Sequence, residues 1–189
     1  PVSANDGRNS VMATPAYNIE DIAFLVVDDN RNMRRIVCQV LRAFGVRRVR
    51  EAQDGTSALE TMTKFVPDMI VTNWMMAPMN GITFAKILRN SEKSEDPFIP
   101  IIMLTGYSEM PRVSVARDAG INEFLAKPMS AQTLYNRIAT ILHRPRNFIR
   151  TATYFGPDRR RHKMTTYKGE ERRTGDPSNF ELTTPDQMK

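Results

Sequence analysis

Between residues 20 and 143, short apolar runs rich in β-branched residues alternate with stretches of helical period, and no other feature narrows the fold as far. Repeated units of this kind wrap helices around a parallel sheet, because parallel strands need a crossover and the crossover is usually a helix. The runs Ala23 to Val27, Met69 to Thr72, Ile101 to Leu104 and Glu123 to Ala126 are almost wholly apolar, as strands covered on both faces must be. Arg48 to Ala52 is charged, which predicts a strand at the sheet edge.

Helices are expected over Asn32 to Phe44, Gly55 to Phe65, Ile82 to Arg89, Pro111 to Ala119 and Ser130 to Leu142. The first carries Ile36, Val37, Val40, Leu41 and Phe44 on one face and stops at Gly45; Ser130 supplies an N-cap for the last. Ser91 to Pro100, polar and broken by Pro97 and Pro100, reads as a loop. Five strands and five helices therefore occupy residues 20–143. Residues 1–19 read as a polar extension without the apolar stretch of a secretory signal, and 144–189 as a second extension unable to bury a core of its own.

A hydrophobic share of 41% with 25% charged residues fits a water-soluble domain, and no apolar run approaches the roughly 18 residues that a membrane span needs. Cys38, the single cysteine, excludes an intrachain disulfide and is compatible with a reducing, cytoplasmic setting. The net charge of +6 is unevenly placed: residues 20–143 hold 15 Lys/Arg against 14 Asp/Glu, whereas 144–189 hold 11 against 6. The basic extension, Arg159 to Lys163 above all, suits phosphate groups of nucleic acid or of a phosphorylated partner, or stays solvated without a partner.

In open α/β sheets, ligands bind where the carboxyl ends of neighbouring strands converge. Here the first strand ends in Asp28-Asp29, the third in Asn73, the fourth in Thr105-Gly106 and the fifth in Lys127-Pro128. Adjacent ionised carboxylates repel, and a divalent cation with a preference for oxygen, magnesium above all, relieves that repulsion. Lys127 can pair with the acids or with a phosphoryl oxygen, and Thr105 can donate its hydroxyl to an incoming phosphoryl group.

The stretches Val26-Val27-Asp28-Asp29-Asn30, Pro67 to Gly81 and Phe124-Leu125-Ala126-Lys127-Pro128, together with Thr105, resemble the motifs of bacterial two-component response-regulator receiver domains. The resemblance spans roughly residues 20–143 and implies a flavodoxin-like five-stranded parallel sheet of order 2-1-3-4-5. It further implies Mg2+ held by Asp28, Asp29, the side chain at 73 and the backbone carbonyl of Met75, with phosphoryl transfer from a sensor histidine kinase or phosphotransfer protein to the end of the third strand. Thr105 and Phe124 would form the switch, and Lys127 would sense the product. The departure is Asn73, where the family carries aspartate. An amide is a poorer nucleophile and a weaker metal ligand than a carboxylate, so phosphorylation is expected to fail and Mg2+ to bind weakly.

Asn73 is then either a natural feature of a phosphorylation-independent adaptor or an aspartate-to-asparagine change that blocks phosphorylation. A binding protein rather than an enzyme is expected, with its output through the face around Pro111 to Leu142 toward a downstream protein or a second copy in a homodimer. A metal-dependent phosphohydrolase is the remote alternative, because tandem Asp28-Asp29 lacks the alternate spacing of the common aspartate-based phosphatases. In the extension, Tyr154 and Phe155 beside Gly156-Pro157 are candidate anchors for folding back on the receiver.

Overall fold

The computed structural model describes residues 18–90, 94, 96–106, 113–151, 154–158 and 181–183. The sheet is built from β1 (Ala23–Val27), β2 (Arg48–Ala52), β3 (Met69–Asn73), β4 (Ile101–Thr105) and β5 (Glu123–Ala126). All pair in parallel, in the order β2-β1-β3-β4-β5. This is the expected flavodoxin-like arrangement, and β2 is the expected charged edge strand. Between the strands run α1 (Arg31–Ala43), α2 (Gly55–Met62), α3 (Gly81–Arg89), α4 (Val113–Asp118) and α5 (Ala131–His143). The first two residues of the predicted fourth helix, Pro111 and Arg112, lie outside the described residues, as do Arg159 to Lys163 of the extension.

Period-two alternation sorts the central strands between two cores. Phe24 and Val26 join Val37, Leu41, Leu134 and Ile138 under α1 and α5. Leu25 and Val27 face the other way, with Ala58, Phe84, Leu88 and Ala116 under α2, α3 and α4. Burial on both faces explains why β1, β3 and β4 are buried along their whole length. Local signals start the helices: Asn30 caps α1, Asp54 forms a capping box on α2, Asn80 caps α3 and Ser130 forms a capping box on α5. Gly45, at φ 91°, takes the left-handed conformation that closes α1.

The structure adds three short strands that the sequence reading lacks: β6 (Phe148–Arg150), β7 (Phe155–Pro157) and β8 (Glu181–Thr183). They pair antiparallel in the order β7-β6-β8. Phe148 is buried, and its ring meets Phe98 at 5.1 Å and Phe155 at 5.6 Å; Phe98 and Phe155 are themselves 5.1 Å apart. The segment just past α5 thus shares an aromatic cluster with the loop before β4, and Phe155 reaches the receiver as the sequence suggested. Beneath the cluster lies Arg89, buried at the end of α3. It donates to the carbonyls of Gly120 (2.9 Å) and Pro97 (2.8 Å) and to Asn122 Oδ1 (3.0 Å), with its guanidinium 5.1 Å from the Phe148 ring centre. Burial pushes Arg89 down to about 9, so it remains a cation at neutral pH.

Candidate functional site

The inner strands β1, β3 and β4 are buried along their length, and a polar residue stands at the carboxyl end of each: Asp28 directly after β1, and Asn73 and Thr105 as the last residues of β3 and β4. Asp28 follows β1 and is completely buried, while its neighbour Asp29 is exposed. One oxygen of Asp28, Oδ1, accepts from the Asn30 backbone at 2.9 Å, and the other, Oδ2, accepts from Lys127 Nζ at 2.9 Å. Lys127 comes from the end of β5, three strands away in the sheet, and is held by its own amide, which donates to the Thr105 carbonyl at 2.8 Å. Arg34, on the first turn of α1, secures the same rim by donating to the backbone carbonyl of Asp28 at 2.7 Å. No local pattern in the sequence marks Arg34 as part of the site; the fold bends it back onto the Asp28-Asp29 backbone and onto Glu51 at 3.3 Å.

Asn73 sits at the centre. Its Nδ2 donates to Asp29 Oδ1 at 3.0 Å and to the Met75 carbonyl at 2.7 Å. Its Oδ1 accepts from Lys127 Nζ and from the Trp74 backbone, both at 2.9 Å. Two donors and two acceptor directions are all an amide has, and all four are used. The orientation follows from the surroundings: a flipped amide would set its oxygen against two oxygens and its NH2 against an ammonium and an N–H.

Of the residues singled out from sequence, Asp28, Asp29, Asn73, Met75 and Lys127 therefore meet in one hydrogen-bonded network. Thr105 is fully buried at the adjoining end of β4, one register step beyond the Asn73↔Leu104 pair. Phe124 pairs with Met103 in register and packs, half-buried, against the core on the α2-α3-α4 side. It lies on the strand leading to the site and outside the network. Trp74 is buried beside Asn73.

The donor set has the chemistry of a magnesium site in part. Asp29 Oδ1 and the Met75 carbonyl converge on a single point, as two hard oxygen ligands would on a cation. At that point, however, stands the Nδ2 of Asn73. Among the described residues no third Asp, Glu, His or Cys joins Asp28 and Asp29 to form a metal-holding group.

Residues 24–139 match the response regulator receiver domain family. The chain is 35% identical over 125 residues to the chemotaxis protein CheY-3 of Vibrio cholerae, covering 66% of this chain and 95% of that protein. It is 36% identical over 120 residues to the chemotaxis protein CheY of Pseudomonas aeruginosa, covering 64% and 95%. Among solved structures, the chemotaxis response regulator CheY4 of Vibrio cholerae superimposes with a TM-score of 0.57 at 30% identity, over 64% of this chain and 99% of that one. The receiver domain of the sensor histidine kinase PA1611 from Pseudomonas aeruginosa, solved with a magnesium ion coordinated in its active-site cleft, gives 0.55 at 27% identity, over 63% and 94%. Taken with the sheet order and the acidic rim, these matches place the chain in the response regulator receiver domain family of bacterial two-component signalling.

Proposed function

We propose that this receiver acts by binding partner proteins and that Asn73 holds it in a state that neither accepts a phosphoryl group nor depends on Mg2+. The observation that carries this is the saturated amide of Asn73. An ionised aspartate at the same place would set an oxygen 3.0 Å from Asp29 Oδ1 and 2.7 Å from the Met75 carbonyl, contacts that only an intervening cation makes favourable. The NH2 of asparagine supplies those two oxygens with protons instead, and it removes one negative charge from the rim. Were Mg2+ bound, Asp28, Asp29, Met75 through its carbonyl, and Asn73 through Oδ1 would hold it, and it would neutralise charge beside an incoming phosphoryl group. For Asn73 to present Oδ1 there, its amide must turn over and give up four hydrogen bonds, which opposes binding.

Lys127, already shared between Asp28 and Asn73, is occupied in the way a phosphoryl oxygen would occupy it in a working receiver. Thr105 and Phe124 remain as the switch pair, and the surface formed by α4, β5 and α5 is the output face toward a downstream protein. A histidine kinase or phosphotransfer protein is the partner on the input side.

The experiment compares the chain with Asn73→Asp in the presence of Mg2+ and a small-molecule phosphoryl donor, read by intact-protein mass. The aspartate form gains one phosphoryl group and the asparagine form gains none. A phosphorylated asparagine form, or an aspartate form that stays inert, would overturn the proposal. Titration with Mg2+ followed by Trp74 fluorescence gives a separate readout, with saturation by the aspartate form at far lower concentration.

A further inference from the structure

We propose that residues 145–151 and 154–157 form an intramolecular strap that pins the base of the α4-β5-α5 face, a conformational restraint carried by the chain itself. Three independent ties converge there. Arg146 reaches Glu123 Oε1 at 3.1 Å, and Arg137 of α5 reaches the other oxygen of the same carboxylate at 3.4 Å, so one buried acid at the start of β5 joins the strap to α5. Phe148 and Phe155 close over Phe98, and Phe148 also covers Arg89, whose three hydrogen bonds span the end of α3, the loop before β4 and the turn after α4. Backbone meets backbone at Gly156, where a Cβ would lie 2.8 Å from the Cα of Gly120, the residue two places beyond α4.

These contacts sit at the amino ends of β4 and β5. Asn73 and Lys127 lie at the opposite ends, a strand length of roughly 13–17 Å away. The strap therefore acts on the output face without touching the rim. A receiver signals by shifting between two arrangements of its packed elements, and a contact present in only one of them biases the equilibrium by its own differential stability. The meaning given to this face rests on the receiver reading; the strap's contacts do not. The buried charge of Arg89 is met by the carbonyls of Gly120, Pro97 and the Asn122 side chain, with the Asp96 carboxylate favouring it from nearby, and lifting the strap would open that cage to water.

The test is amide hydrogen exchange on the full chain and on Gly156→Ala, whose added methyl wedges the strap away from Gly120. Exchange in residues 148–151, 154–157 and 113–123 should quicken together, by roughly tenfold or more, while Ala23–Val27 and Trp74 fluorescence stay as in the parent chain. If the strap absorbs the methyl without loosening, Phe155→Ala, which removes the ring against Phe98, is judged by the same criterion. A strap that loosens while 113–123 keep their protection would refute the restraint, and so would parent-chain strap amides that exchange at unprotected rates. Phosphoryl acceptance by Asn73→Asp is measured separately, so failure of the receiver reading and failure of the strap are distinguishable.

Discussion

The most consequential residue is Asn73, and its effect depends on Lys127. Asp28 is wholly buried, and its charge is met by one ammonium and one backbone N–H. Lys127→Met strands that carboxylate, and removal of one partner of a buried pair costs about 3 kcal/mol; urea unfolding monitored at Trp74 should show a loss of this size. An unchanged midpoint would mean that water reaches Asp28. Cys38 makes a different prediction. Burial, with Glu51 nearby, pushes its thiol up to about 12 from an ordinary 9.0. The unfolded chain ionises first, so stability from this group is intact below pH 9 and is lost progressively between pH 9 and about 12. Alkylation of Cys38 at pH 8.5 should accordingly proceed only as fast as the protein opens, and a thiol that reacts at the rate of a free cysteine would contradict its burial. Asp28, Asp29 and Lys127 are legible from sequence because each ends an apolar run. The orientation of the Asn73 amide is not, since it is fixed by Asp29, Met75, Trp74 and Lys127, groups from three different strand ends.

At the level of elements, α3 ties the rim to the base of the molecule. It starts at Gly81, where a Cβ would stand 2.1 Å from the backbone oxygen of Asn73, and it ends at Arg89 in the carbonyl cage. Alanine is favoured over glycine in a helix by about 1 kcal/mol, yet here it would collide with a central strand that cannot move. Overpacking typically costs about 1–3 kcal/mol, and a contact of 2.1 Å with backbone falls at the upper end of that range, so the steric term wins. Gly81→Ala should be destabilised by about 1–2 kcal/mol in thermal melts, with a shifted Trp74 emission as the β3-α3 turn is displaced; a stabilised variant would show that helix propensity decides. Element boundaries were readable to within about three residues because caps and periods are local: Asn80-Gly81 and Ser130 mark the starts of α3 and α5 in the chain itself. Nothing local marks β6 to β8. Each is three residues long, too short for a period, and Phe148-Ile149-Arg150 has no alternation to distinguish it from loop.

For the molecule as a whole, the five-stranded receiver and the segment after it form one packed body at the base of the sheet. Phe148 is only 4% exposed, and truncating a buried phenylalanine costs about 3–4 kcal/mol. Phe148→Ala should therefore lower the stability of the entire receiver, measured by a single cooperative denaturant transition reported by Trp74. If the segment were independent, Trp74 would melt as in the parent chain. The alternation of apolar strands with helices set the sheet, its edge strand and the identity of the rim residues, because those follow from spacings within a dozen residues and from the rule that ligands gather at strand ends. Tertiary structure alone decided two things: that every hydrogen-bonding group of Asn73 is taken, and that Phe148, Phe155 and Arg146 close over Phe98, Arg89 and Glu123. Both depend on partners brought together from distant parts of the chain, and no local period in the sequence records which distant side chains will meet.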